Sequence, residues 1–165
     1  MASDHRSRFA LTLQGIQEPP APYLDQVRYR PVSVDIAMAV GKGNLEFDAL
    51  YVVEGSLLSG GMDLHDLKLA LDPYGVPLDL FDVALVYIAA GEQNAGLLLA
   101  SAGPTNGFTN YFGTVANLIL RAGDVEIGAR LTAGNCQVLA NNKVLELQAT
   151  GGDADYTLMV WGRRP

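Results

Sequence analysis

The sequence predicts an all-β protein: an antiparallel β-sandwich behind an extended N-terminal arm. Three observations carry that reading. In the last third of the chain, turn formers recur about every eight to twelve residues, the spacing of a sandwich or barrel. No stretch longer than a turn or two follows the helical period. And Val83–Ala90, VALVYIAA, runs without a charge, too short for a membrane helix and suited to a strand buried between two layers.

Composition bounds the rest. A chain of 165 residues suits one domain with an ordinary core. The 18 glycines and 8 prolines are spread along it, as short strands joined by turns require. Only 18% of residues are charged and 49% are hydrophobic, which hints that other subunits cover part of the surface. A monomer with a surface rich in Ser, Thr, Asn and Gln would satisfy the same numbers. The net charge of −7 is unevenly placed. Arg6, Arg8, Arg28 and Arg30 outnumber the acids of residues 1–30, whereas residues 31–162 hold five basic against fifteen acidic groups. An acidic body argues against nucleic acid, whose phosphates need clustered Lys and Arg. Basic ends on an acidic body are complementary to a neighbouring copy. Cys136 is the sole cysteine, so no intrachain disulfide or thiolate metal cluster is possible and a cytosolic origin is expected. Nothing after Met1 resembles the apolar core of a secretion signal, and no membrane span is expected.

The elements follow in order. Residues 1–31 read as the arm and residues 32–165 as a single sandwich domain. Within the arm, Arg8–Gln14 alternates Phe9, Leu11 and Leu13 with smaller or polar residues, an edge-strand pattern. Glu18–Tyr23, EPPAPY, is stiff and extended because proline fixes φ and restrains its predecessor. A strand behind such a linker can pair with its own sheet or with a neighbour's. Val32–Val40 alternates cleanly, Gly41–Asn44 has hairpin-turn composition, and Leu45–Val53 places Leu45, Phe47, Ala49, Tyr51 and Val53 inward. After a glycine-rich connection over Glu54–Met62, Asp63–Ala90 reads as a hairpin turning at Asp72-Pro73-Tyr74-Gly75. Gly96–Ser101 is a short apolar strand. Ala102–Gly113, AGPTNGFTNYFG, is the one long irregular segment, of a length uncommon unless functional or interfacial. Further strands are expected at Val115–Arg121, Val125–Leu131, Cys136–Ala140, Lys143–Ala149 and Tyr156–Trp161.

Catalytic signatures are weak. His5 and His65 are not spaced to share a metal, and neither HExxH nor G-x-S-x-G occurs. His65 shares a strand face with Asp63 but not Asp66, and a solvated polar rim explains the trio. Gly41-Lys42-Gly43 lacks the P-loop spacing. Asp153 and Asp155 resemble part of a calcium turn without its closing Glu, so an ordinary turn is expected. No enzyme activity, cofactor or metal is expected. Carbohydrate binding is the rival function: Tyr74, Tyr87, Tyr111, Phe112 and Trp161 could stack a sugar, with Tyr111 and Phe112 in the long loop. Trp161 sits in a strand apolar on both faces, which marks it as core or interface.

The order of signals also carries a resemblance. A block of the form D-L…L…D-x-x-G…F-x-V precedes the apolar strand, a Gly-Leu-rich strand and an Asn/aromatic loop. A turn L-x-x-x-A-T-G-G-D-A-D-Y and a terminal apolar strand closing on Gly follow. The matching positions are Asp63, Leu64, Leu67, Asp72, Gly75, Phe81, Leu145, Ala149, Gly151, Gly152, Asp153, Asp155, Tyr156 and Gly162. Over residues 63–162 this resembles the small jelly-roll-like virion proteins of tailed bacteriophages that decorate or cement the capsid. The resemblance implies a jelly-roll-like sandwich, location in the virion after assembly in the host cytoplasm, and a homo-oligomer (dimer or trimer). The implied partners are the major capsid protein or other virion subunits, with no membrane and no nucleic acid. A tail, baseplate or receptor-binding part is the related alternative. The expected contact residues are Phe9, Leu11, Leu13, Pro19, Pro20, Tyr23, Arg28 and Arg30 in the arm, and Phe108, Tyr111 and Phe112 in the loop.

Overall fold

The structure, a computed structural model, describes residues 7–13, 16–17, 27–28, 32–44, 46–72, 74–113, 118–130 and 132–165. It divides into two compact units, Met1–Ala39 and Val40–Pro165. In the first, β1 (Ser7–Leu13) pairs antiparallel with β4 (Val32–Val40), opposing Phe9 to Ile36, Leu11 to Val34 and Leu13 to Val32. The short β2 (Ile16–Gln17) pairs with β3 (Val27–Arg28). The alternating pattern of Val32–Val40 therefore forms the expected strand, but β4 joins neither of the large sheets.

The second unit is the sandwich. After β5 (Glu46–Phe47) come β6 (Ala49–Leu57), β7 (Met62–Asp66), β8 (Asp82–Ala90) and β9 (Leu97–Ala102). A single-turn helix, α1 (Thr109–Phe112), precedes β10 (Leu118–Leu120), β11 (Val125–Ala129), β12 (Val144–Thr150) and β13 (Ala154–Arg163). One sheet has the order β10-β9-β12-β7 and the other β11-β8-β13-β6. From β6 to β13 the pairing is nested. The first strand pairs with the last, β7 with β12, β8 with β11, and β9 with β10, all antiparallel. One long hairpin rolled up on itself produces that pattern, and pairing of β13 with β8 and of β12 with β9 closes each sheet. This is a jelly roll of two four-stranded sheets.

Between the sheets lies one apolar core. The β9-β12 sheet contributes Leu98, Ala100, Leu145 and Leu147; the β8-β13 sheet contributes Val86, Ile88, Leu158 and Val160. The strict alternation of β12, where Leu145, Leu147 and Ala149 are buried between half-exposed neighbours, is the period-two pattern of a sheet wet on one face. In β8, by contrast, Asp82 through Val86 are all buried, as the uncharged run from Val83 predicts for all of them but Asp82.

Five expectations are corrected, the last of them Phe108, described with the site. The Asp63–Ala90 stretch is not one hairpin. Asp72 does make the turn, its Oδ1 accepting from the Tyr74 and Val76 amides at 2.9 and 2.8 Å. Yet β7 and β8 on either side enter different sheets, so the stretch carries the chain across the sandwich. The Leu45–Val53 strand is broken at Asp48, whose N–H donates to Gly162 and whose Oδ1 accepts from the Arg164 amide at 2.7 Å. Its second half then continues through the expected glycine-rich connection to Leu57. Cys136–Ala140 makes only isolated bridges, Asp82 to Gln137 and Leu139 to Asn142. A two-residue turn at Ala140-Asn141 reverses the chain before a strand can form. The fourth concerns His65, described below.

Candidate functional site

Three regions concentrate side chains that could act on something else: the aromatic loop before β10, the outer sheet faces, and a polar cluster between the sheets. In the loop, Phe108 is fully buried in the core, so it packs the sandwich and is not a contact residue. Its amide donates to Val144 O at 2.7 Å. The segment is tied down further by Asn110 Nδ2, which donates to Gln137 O at 2.8 Å, and by Asn142 Nδ2, which donates to Thr109 Oγ1 at 2.9 Å. What reads as a long irregular loop is thus fastened to the β12 side of the sandwich.

Tyr111 and Phe112 remain half-buried, packed edge to face with ring centroids 4.8 Å apart. The Tyr111 ring also stacks on Phe108, and the Arg130 guanidinium lies 5.5 Å from its centroid. Position 128 has to be glycine for this to fit, because a Cβ there would fall 1.7 Å from the Tyr111 hydroxyl oxygen. Burial, with Glu126 nearby, pushes the Tyr111 phenol up to about 12. Between α1 and β11 lies a groove of about 430 Å³, lined by Tyr111, Phe112, Leu118, Glu126 and Arg130.

The outer faces of both sheets carry apolar rows. On the β9-β12 sheet, register aligns Ile119, Leu99, Gln148 and Met62 in one row, with Leu64 opposite Glu146 and Leu97 opposite Thr150 in the flanking rows. Met62, Leu64, Leu97 and Ile119 are exposed, and Glu146 is the one charge among these positions. On the other sheet two rows carry no charge: Val52, Met159, Tyr87 and Ile127, then Leu50, Trp161, Leu85 and Ala129. Trp161 is therefore on an outer face and not in the core.

His65 corrects the expectation of a solvated rim. It is buried, at 8% exposure, where β7 faces β6 and β13 of the opposite sheet. Tyr51 Oη lies 3.0 Å from Nδ1 and Tyr156 Oη 3.3 Å from Nε2, and Tyr156 donates to Asp63 Oδ2 at 2.5 Å. Since the single Tyr156 proton goes to Asp63, its oxygen accepts from Nε2–H. Nδ1 of the neutral ring then accepts from Tyr51. The hydrogen bonds run in one direction from Tyr51 to the Asp63 carboxylate. Desolvation lowers the His65 pKa against the opposing pull of Asp63, and burial raises both tyrosines. Gly55, paired with Tyr156, leaves space for that ring; a Cβ there would meet it at 2.6 Å.

A second buried polar group closes the end of the sandwich. Arg163 Nη1 donates to Asp82 Oδ1 at 2.8 Å, both side chains 1% exposed, and Gly134 N–H donates to Asp82 Oδ2. Burial pushes the Cys136 thiol up to about 11. Asp153 is a turn residue, its Oδ1 accepting from the Ser59 amide at 2.9 Å. Among the described residues no group of three or more His, Cys, Asp or Glu is placed to hold a metal, and no helix is long and apolar enough to cross a membrane.

Of the contact residues expected from sequence, Phe9, Leu11 and Leu13 lie on β1 and Arg28 on β3, where only the backbone is described. Pro19, Pro20, Tyr23 and Arg30 fall outside the described residues. The structure brings Tyr111 and Phe112 together at the groove. The apolar sheet faces and the His65 cluster were missed. The faces were legible only in part, since register decides which residues of neighbouring strands form a row. Comparison with protein-family models, with curated proteins and with solved structures gave no match.

Proposed function

We propose that the chain is a structural virion protein of a tailed phage, decorating or cementing the capsid by binding across shell subunits. One observation carries the reading: the exposed apolar face of the β9-β12 sheet, with Met62, Leu64, Leu97 and Ile119 at its surface. Large apolar side chains exposed together on one sheet face are what a protein–protein contact would bury. The rolled-hairpin topology supports it, because the resemblance over residues 63–162 implies a jelly-roll-like sandwich. Burying the face across a junction makes opening the shell also expose that area, so binding stabilises the shell by mass action. The basic residues of 1–30 supply complementary charge to the acidic bodies of neighbouring subunits.

The test is fractionation of phage particles on a density gradient, followed by peptide mass spectrometry and add-back of purified protein to stripped particles. The chain is expected to band with the particles, and Leu64→Glu combined with Ile119→Glu is expected to abolish add-back while the fold is kept. A chain confined to the unassembled fraction would overturn the reading. The glycan alternative gains no support from the loop, where Phe108 and Arg130 already occupy the Tyr111 ring.

A further inference from the structure

We propose that β11 is a self-complementary edge through which two copies of the chain pair antiparallel, continuing the β11-β8-β13-β6 sheet across a two-fold axis at Ile127. Among the described residues β11 has one sheet neighbour, β8. Arg130 N–H donates to Ala84 O at 2.6 Å and Asp124 O accepts from Ala90 N–H at 2.9 Å. The even-numbered residues therefore spend their backbone groups on β8. By the alternation of an antiparallel ladder, Val125, Ile127 and Ala129 turn theirs to the open edge. Among the described residues only the Ala129 carbonyl has a partner there, the Arg130 guanidinium at 3.1 Å.

Open edges are ordinarily blunted by lysine, proline or a bulge. VEIGA has no lysine or proline and keeps an unbroken register with β8; its one charge, Glu126, points to the inner side and would stand opposite Gly128 of the other copy. Of its outward side chains, Ile127 and Ala129 continue the two uncharged rows of the outer face, and Val125 beside them is 49% exposed.

Charge selects a second copy over another extended strand. With the axis at Ile127, each Ile127 faces its counterpart and Val125 faces Ala129 of the other copy. Asp124 then faces Arg130, in the non-hydrogen-bonded positions where side chains approach most closely. Asp124 and Arg130 are both exposed, and the symmetry forms that ion pair twice. The groove of about 430 Å³ between α1 and β11 leaves room for the incoming strand's inward side chains. Pairing of this kind gives the sandwich two copies of each outer face, and it stands whether or not the chain belongs to a virion.

Sedimentation equilibrium of the full chain over a wide concentration range tests the pairing. The wild type is expected to dimerise. Ile127→Pro removes an N–H that points away from β8, so it leaves the internal ladder intact while weakening the dimer by about tenfold or more. Arg130→Asp places like charges at two contacts and should weaken it by about tenfold; adding Asp124→Arg should restore it. Circular dichroism checks the fold of each variant, and if Ile127→Pro unfolds, the charge pair alone decides. A wild type that stays monomeric overturns the proposal, as does a dimer indifferent to the substitutions. A charge reversal without restoration overturns the register.

Discussion

Tyr51 and Tyr156, on two strands of one sheet, address the two ring nitrogens of a single histidine on the other, at 3.0 and 3.3 Å. Sheets in a sandwich are otherwise held together by apolar packing. Here a directed set of hydrogen bonds fixes how β7 sits against β6 and β13.

Tyr156→Phe should therefore cost about 1–3 kcal/mol, since it leaves the Asp63 carboxylate and His65 Nε2 without their partner. Tyr51→Phe should cost less, because its hydroxyl only donates to Nδ1. The double variant should cost less than the sum. Urea denaturation of the three proteins measures this, and strict additivity would break the argument for a single wire.

Stability should fall on mild acidification in a way that depends on His65. Its pKa is lowered in the folded protein from 6.5, so below that value the unfolded chain binds more protons and the folded state loses ground. Above it the contribution is fully present. Denaturation midpoints followed from pH 7.5 down to pH 5 should drop more steeply for the wild type than for His65→Gln. The comparison subtracts the carboxylates common to both, and parallel curves would contradict the assignment.

Asp82→Ala should be among the most damaging single changes, costing about 3–5 kcal/mol, because it strips a buried guanidinium of its carboxylate. It also removes the acceptor of the Gly134 amide. Thermal unfolding should show the drop, whereas Lys68→Ala, which breaks an exposed ion pair with Asp79, should change little.

Gly128→Ala should destabilise by about 1–3 kcal/mol through overpacking against Tyr111. The same substitution in a Tyr111→Ala background should be close to neutral, which separates a clash with the ring from a general intolerance of side chains on β11.

The sequence showed what local chemistry determines. Val83–Ala90 and Tyr156–Trp161 are strands because uncharged, β-branched and aromatic runs fit a pleated, largely buried surface. Asp72 marks a turn because its side chain can cap two following amides. What it withheld depends on residues far apart in the chain. His65 reads as rim because Asp63 and Asp66 are its neighbours along the strand, while the tyrosines that bury it stand at positions 51 and 156 on the opposite sheet. Phe108 reads as a surface aromatic from its Asn- and Thr-rich surroundings; only the amide it donates to Val144 turns it inward. The split of Asp63–Ala90 between two sheets was hidden for a related reason, since a turn motif specifies a reversal and not which sheet the chain enters next.

The nested pairing has a consequence for how the domain comes into being. β13 is the last of its eight strands to emerge during synthesis, yet it occupies an interior place in its sheet, between β6 and β8. Until it arrives, β6 has no strand to pair with in that sheet and β8 shows a bare inner edge. The longest-range pairing, from Ala49 to Gly162, must then form last against the full loop entropy of the chain, which makes for slow, late folding. The nascent protein thus passes through an interval with two adhesive edges and an uncovered apolar layer, when dilution or a chaperone matters most. A lesion in β13 would prolong that interval far more than its share of the core suggests.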